Sequence, residues 1–147
     1  MNLEQLHAEW KIDSQIEFNK LDVSSVETPK LHAKYLELLS TYKLRLKDAE
    51  FKQKELMKNK WLWYNGKLDQ DEIEKLGWEP DPFDGLRILK GEMQHYVEAD
   101  PELVASEAKI AYLNTMIETL KEILESIKWR HQTIRNALEW KKFEAGF

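Results

Sequence analysis

The sequence predicts an all-α protein of long amphipathic helices, ending in a coiled-coil-like oligomerisation helix. Three observations carry this. Apolar residues recur at helical spacing through stretches rich in Leu, Lys and Glu. Gly and Pro are scarce, five and four in 147 residues. Thr28-Pro29 and Asp100-Pro101 each join a capping residue to a proline ahead of a long periodic stretch, as where helices begin.

Leu3, Leu6 and Trp10 share a face, so residues 2 to about 11 read as a short amphipathic helix. Ile12 to Val26 is less periodic and reads as mixed helix and loop. Thr28-Pro29 then opens a helix that meets no further Gly or Pro until Gly66, which stands where a left-handed stop belongs. That helix would run about 37 residues, or roughly 55 Å. Its apolar stripe (Tyr35, Leu38, Leu39, Tyr42, Leu46, Ala49, Leu56, Met57, Trp63 and Tyr64) covers one side only. Residues 68–99 are broken by Gly and Pro, with short helices expected at Gln70–Leu76 and near Leu86–Val97, and a turn at Asp81-Pro82-Phe83-Asp84-Gly85.

From Asp100-Pro101 a helix is expected to about Lys142. Leu103, Ile110, Ile117, Leu124 and Leu138 hold one heptad position, with His131 in the sixth place of that series; Leu113, Leu120, Ile127 and Ile134 hold the other. Sustained spacing of three and four predicts a coiled-coil seam, with His131 packed in it or setting its register. Met116 and Ile123 widen the stripe beyond a simple dimer seam. The chain thus divides into a helical region, 1–99, and an oligomerisation helix, 100–147.

Most chemistries lack their residues. Cysteine is absent, which excludes disulfide scaffolds and thiolate metal sites. His7, His32, His95 and His131 show no ligand spacing, and Asp69-x-Asp71 begins like a calcium loop but has Ile73 where an oxygen ligand is needed. No metal or cofactor is expected. There is no nucleophile elbow, no Walker lysine and no nucleophile paired with a base, so the chain does not read as an enzyme. Asp69, Asp71, Glu72 and Glu74 suit a solvated helical first turn. No apolar run is long enough to span a membrane, and the first residues do not resemble a signal peptide, so a soluble, cytoplasmic chain is expected.

The net charge of −5 conceals a strong segregation. Residues 43–67 carry eight basic and three acidic side chains; residues 68–107 carry three and twelve. Such blocks suggest a partner for each, although two solvated helix faces would give the same pattern. Placed at 100° per residue, Lys43, Lys47, Lys54 and Lys58 fall within about 60° of one another, with Trp61 on the same edge. Lys60 falls inside the apolar stripe beside Trp63 and Tyr64, and Lys67 follows the Gly66 stop. Cations that track phosphates and rings on which any base can stack are what single-stranded nucleic acid requires. The alternative is a wet lysine face over core aromatics, with Lys60 snorkelling to solvent.

At these residues the sequence resembles a known family. Lys58-Asn59-Lys60-Trp61-Leu62-Trp63-Tyr64-Asn65-Gly66-Lys67 is similar to the segment of the UvsY family of phage recombination mediators in which two basic residues, two apart, precede an aromatic pair, a small residue and Gly. Met1-Asn2-Leu3-Glu4-Gln5-Leu6, Lys34-Tyr35-Leu36, Lys90-Gly91-Glu92-Met93 and Phe143-Glu144-Ala145-Gly146 also resemble the family, in order along the chain. The resemblance implies a non-enzymatic homo-oligomer, hexameric or heptameric, acting in the host cytoplasm during infection. It would bind single-stranded DNA, loosen the phage single-strand-binding protein and help a RecA-like phage recombinase nucleate. It also implies that the family's basic pair falls on Lys58 and Lys60 and that the last helix drives assembly. Three departures stand out: Lys60 lacks the planar fork of an Arg, Trp61-Leu62-Trp63-Tyr64 is more aromatic than the family's segment, and Gly66–Leu89 matches poorly. The expected DNA-binding residues are Lys54, Lys58, Lys60, Trp61, Trp63, Tyr64 and Lys67. A coiled-coil scaffold or adaptor that never touches DNA is the competing reading of the same heptads.

Overall fold

In a computed structural model that describes all 147 residues, six helices account for the regular structure. They are α1 (Leu3–Asp13), α2 (Leu21–Tyr64), α3 (Gln70–Leu76), α4 (Lys90–Glu98), α5 (Pro101–Lys128) and α6 (Arg130–Glu144). The fold is all-α, as expected. Two compact units are present: residues 1–44 with 114–147, and residues 45–113.

In the first unit α1 opens with a capping box, Asn2 accepting from the Gln5 amide at 2.8 Å while the Gln5 side chain accepts from Asn2 at 2.9 Å. The helix lies antiparallel to the first half of α2. Tyr42 donates to the Met1 carbonyl at 2.6 Å, and near the other end of α1 Asp13 accepts from Tyr35 at 2.7 Å and pairs with Lys34 at 2.6 Å. Burial alone would raise the Asp13 pKa, but these partners more than offset it and hold the carboxyl below its ordinary value. Leu6, Tyr35, Leu39 and Tyr42 are buried, as are Met116, Ile117, Leu120, Ile123 and Ile127 of α5.

Two helix boundaries differ from expectation. The long helix begins at Leu21, so Pro29 lies inside it. Thr28 does not cap; its hydroxyl turns back onto the Ser24 carbonyl at 3.3 Å, the usual behaviour of threonine within a helix. The expected terminal helix is interrupted at Trp129, which leaves helical geometry at φ −92° and ψ 1°. This break carries Arg130 into the unit, where it is 5% exposed and its guanidinium donates to Thr28 Oγ1 and to the carbonyls of Asp13, Ser14, Gln15 and Ser24 at 3.2–3.5 Å. Carbonyls at a helix C-terminus lack intrahelical partners and favour a cation. Arg130→Met keeps bulk but removes those donors. A loss of about 1.5–3 kcal/mol is expected, read as a lower urea midpoint at unchanged slope. An unchanged midpoint would mean the guanidinium organises nothing.

The break also moves His131 out of the seam. It is exposed, with Nδ1 3.0 Å from the Lys128 carbonyl and its ring stacked on Trp129. Of the seam residues, Leu103, Leu113, Ile117, Leu120 and Ile127 are buried in this chain's own units, Ile110, Leu124 and Ile134 are half-buried, and Leu138 is exposed. The 3-4 repeat before the break therefore marks protomer core. Apolar surface left open on α6 and the terminus consists of Leu138, Trp140, Phe143 and Phe147.

In the second unit the end of α2 meets the start of α5, while Ala49, Lys52 and Leu56 face Ala105, Ser106 and Lys109 across a shallow groove, so the two segments run antiparallel. α3 falls where the sequence places it, and Gly77, at φ 72°, closes it in the left-handed region. The turn at 81–85 forms through Asp81, whose carboxylate accepts from the amides of Phe83 at 2.9 Å and Gly85 at 2.8 Å.

Candidate nucleic-acid interface

The second half of α2 carries the expected segment, and its two faces have different fates. On the outer face Lys54, Lys58 and Trp61 are exposed. Residues three, four and seven apart stack along one edge of a helix, so the three form a continuous strip. Lys47 and Lys52 are held by Glu50 and Asp48 at 3.4 and 2.9 Å. Lys54 instead lies over the Phe51 ring, 6.0 Å from its centroid. Gly66, at φ 69°, ends the helix with the Lys67 amide bonded back to the Leu62 carbonyl at 2.8 Å. That turn brings the Lys67 ammonium over the Trp61 ring, 5.2 Å from the centroid.

On the inner face Lys60 is buried and Trp63 and Tyr64 are half-buried. Lys60 is 3% exposed and pairs with Asp100 at 3.2 Å and Glu102 at 3.3 Å. Its ammonium also sits over the rings of Trp78 at 4.0 Å and Trp63 at 4.6 Å. Trp78 donates to Glu102 at 3.0 Å, Tyr64 to Asp100 at 2.6 Å, and Trp63 to the Glu79 carbonyl at 2.7 Å. Trp78, Trp63, Tyr64, Phe83 and Tyr96 follow one another at centroid spacings of 5.0–5.6 Å. Burial and the hydrogen bond to Asp100 push the Tyr64 hydroxyl well above its ordinary pKa, so it stays a neutral donor.

A lysine inside an apolar stripe is therefore explained by an ion pair roofed with indoles. Asp100 and Glu102 belong to the acidic block and Lys60 to the basic one, so part of the charge segregation is answered within the chain. Around the exposed Trp61, α4 adds residues that sequence reasoning missed. A groove of about 250 Å³ runs between Trp61, Asn65 and Lys67 on one side and Lys90, Met93 and Gln94 on the other. The helical face of α4 could be anticipated; its approach to Trp61 could not.

The sequence model of the family described as "Recombination, repair and ssDNA binding protein UvsY" matches residues 9–147. The chain belongs to the UvsY family. It is similar to the recombination protein uvsY of enterobacteria phage T4, at 27% identity over 99% of both chains. Its fold is similar to the crystal structure of the bacteriophage T4 recombination mediator protein UvsY in lattice type II, with a TM-score of 0.81, 27% identity and 99% of each chain covered. Lattice type IV of that protein gives a TM-score of 0.79 at 24% identity, over 98% of this chain and 99% of the other. The six helices described here are thus a UvsY fold. Within this chain, Lys54, Lys58, Trp61 and Lys67 share an open surface, whereas the buried Lys60 and the half-buried Trp63 and Tyr64 form the cage behind it.

Proposed function

We propose that this chain is a recombination mediator that binds single-stranded DNA through the outer edge of α2. As a homo-oligomer, hexameric or heptameric, it helps displace the phage single-strand-binding protein and loads or stabilises a RecA-like phage recombinase filament. Membership of the UvsY family over residues 9–147 carries this reading. The exposed Lys54–Lys58–Trp61–Lys67 surface supports it physically. In this reading Lys60, Trp63 and Tyr64 act at one remove, holding the helix end and the Gly66 turn that present Lys58, Trp61 and Lys67. The work is done by binding and assembly rather than by catalysis.

One protomer offers a few phosphate contacts and the open rings of Trp61 and Phe51. Repetition in a closed oligomer turns successive contacts into intramolecular ones, so avidity grows without new chemistry. Leu138, Trp140, Phe143 and Phe147 are the side chains we assign to assembly, extending the open end of the expected seam. The remaining acidic surface of residues 68–107 is a surface for the recombinase or the single-strand-binding protein.

Fluorescence anisotropy of a labelled oligonucleotide across a salt series tests the reading. Log affinity should fall linearly with log salt, each phosphate contact adding about 0.7 to the slope for a single strand. Absence of binding at low salt would leave the scaffold or adaptor reading.

A further inference from the structure

We propose that the groove between α2 and α4 beside Trp61 receives one nucleobase of a bound strand, with Lys67 and Lys90 taking the adjoining phosphates. The proposal rests on the single-strand reading above and adds a base-binding site to it. Trp61 is 45% exposed, whereas Trp63 is committed to the Lys60 cage. An indole that borders a groove of about 250 Å³ has room for one small planar group beside it. That volume lies just under the roughly 300–1,000 Å³ of pockets for drug-sized ligands, which limits the occupant to one base.

Charge selects the side of the ring. The groove with Lys67 and Lys90 has no carboxylate in its lining. A second, smaller cavity of about 170 Å³ also borders Trp61, but Glu98 and Glu107 line it. A phosphodiester is attracted to the first and repelled by the second.

Hydrogen bonding suits a site that accepts any sequence. The Asn65 amide nitrogen donates to the Trp61 carbonyl at 2.7 Å, and that of Gln94 to Glu98 at 3.0 Å. Both acceptors are oxygens, which fixes how each amide is turned and leaves its own oxygen as an acceptor. Every nucleobase offers an N–H edge to such an acceptor. The Lys67 ammonium over the Trp61 ring holds the place of the base in the free protein. Displaced by stacking, it remains beside the strand as a phosphate partner.

The test compares binding of the 147-residue chain to two labelled strands of equal length, one of mixed sequence and one abasic throughout. The parent should bind the mixed strand about tenfold more tightly than the abasic one, which corresponds to about 1.4 kcal/mol and lies within the range of a single base–aromatic stack. Trp61→Leu should abolish that discrimination. Lys90→Gln should weaken both strands together and lower the salt slope by about one contact. Thermal melting of both variants checks that the fold is intact. Equal parental affinity for the two strands would overturn the base site and leave the single-strand reading standing. Discrimination that survives in a folded Trp61→Leu variant would also overturn it. Failure to bind either strand would overturn both.

Discussion

Asp100→Ala should lower the free energy of unfolding by about 3–5 kcal/mol, the range for removing one partner of a buried ion pair. Asp100 is 2% exposed and makes four contacts at once. It pairs with Lys60 at 3.2 Å, accepts from Tyr64 at 2.6 Å, and caps α5 through the amides of Glu102 at 3.0 Å and Leu103 at 3.2 Å. Alanine removes all four and leaves the Lys60 ammonium facing two indoles with only the half-exposed Glu102 as counter-ion. Asp100→Asn keeps the cap and should cost less. Lys60→Met strands Asp100 in the same way, so the Lys60→Met/Asp100→Asn pair should lose less than the sum of its single variants. Denaturant unfolding of the four proteins reads the cycle; strict additivity would mean the pair is not coupled.

The same carboxylate gives acid sensitivity with a definite sign. Burial works to raise its pKa, but the Tyr64 hydroxyl, the Leu103 amide and Lys60 outweigh burial and hold it below the ordinary 3.8. The folded state therefore holds this proton less tightly than the unfolded chain. The stabilisation is complete above the unfolded value and is lost as pH falls through the folded one. Asp13, depressed in the same direction, adds to that loss.

Trp140→Ser/Phe143→Ser is expected to dissociate the proposed oligomer and reduce apparent affinity for a long single strand by about 10²–10⁴-fold, the usual scale of lost avidity. Trp140 and Phe143 are 63% and 72% exposed within the chain, so protomer stability should hardly change. Ile117→Asp or Leu120→Asp would instead bury an unpaired carboxylate in the first unit and unfold it. Sedimentation equilibrium and a melting curve separate the two cases. A serine variant that stayed assembled would place the interface elsewhere.

Helix content was largely legible because periodicity and stop signals agree: acidic residues open α3 and Gly77 closes it, and Gly66 closes α2. The start of α2 was misread because Thr28-Pro29 has the chemistry of a cap, yet tertiary contacts carry the helix past it. No Gly or Pro marks the break at Trp129; its cause is Arg130 reaching the carbonyls around Ser14, a contact between residues more than 100 apart in sequence. The 3-4 repeat declared an apolar seam but could not say that the chain itself fills most of it. For the interface, the shared edge of Lys54, Lys58 and Trp61 follows from helix geometry alone. Lys60 stood out as a charge among apolar neighbours, and that signal marked a buried pair rather than an open cation. Lys90 and Gln94 could not be read, because nothing local sets where α4 docks.

The burial of Lys60 also sets how the interface should be tested. Affinity lost in a Lys60 variant can come from a loosened cage, so the decisive substitutions lie on the outer edge. The most direct measurement is an anisotropy salt series on Lys54→Ala/Lys58→Ala beside the parent, with assembly checked by sedimentation. Weaker binding at low salt and a shallower salt dependence, with melting temperature and oligomeric state unchanged, is the predicted result. The same affinity and the same slope in both proteins would contradict the assignment of this edge to single-stranded DNA.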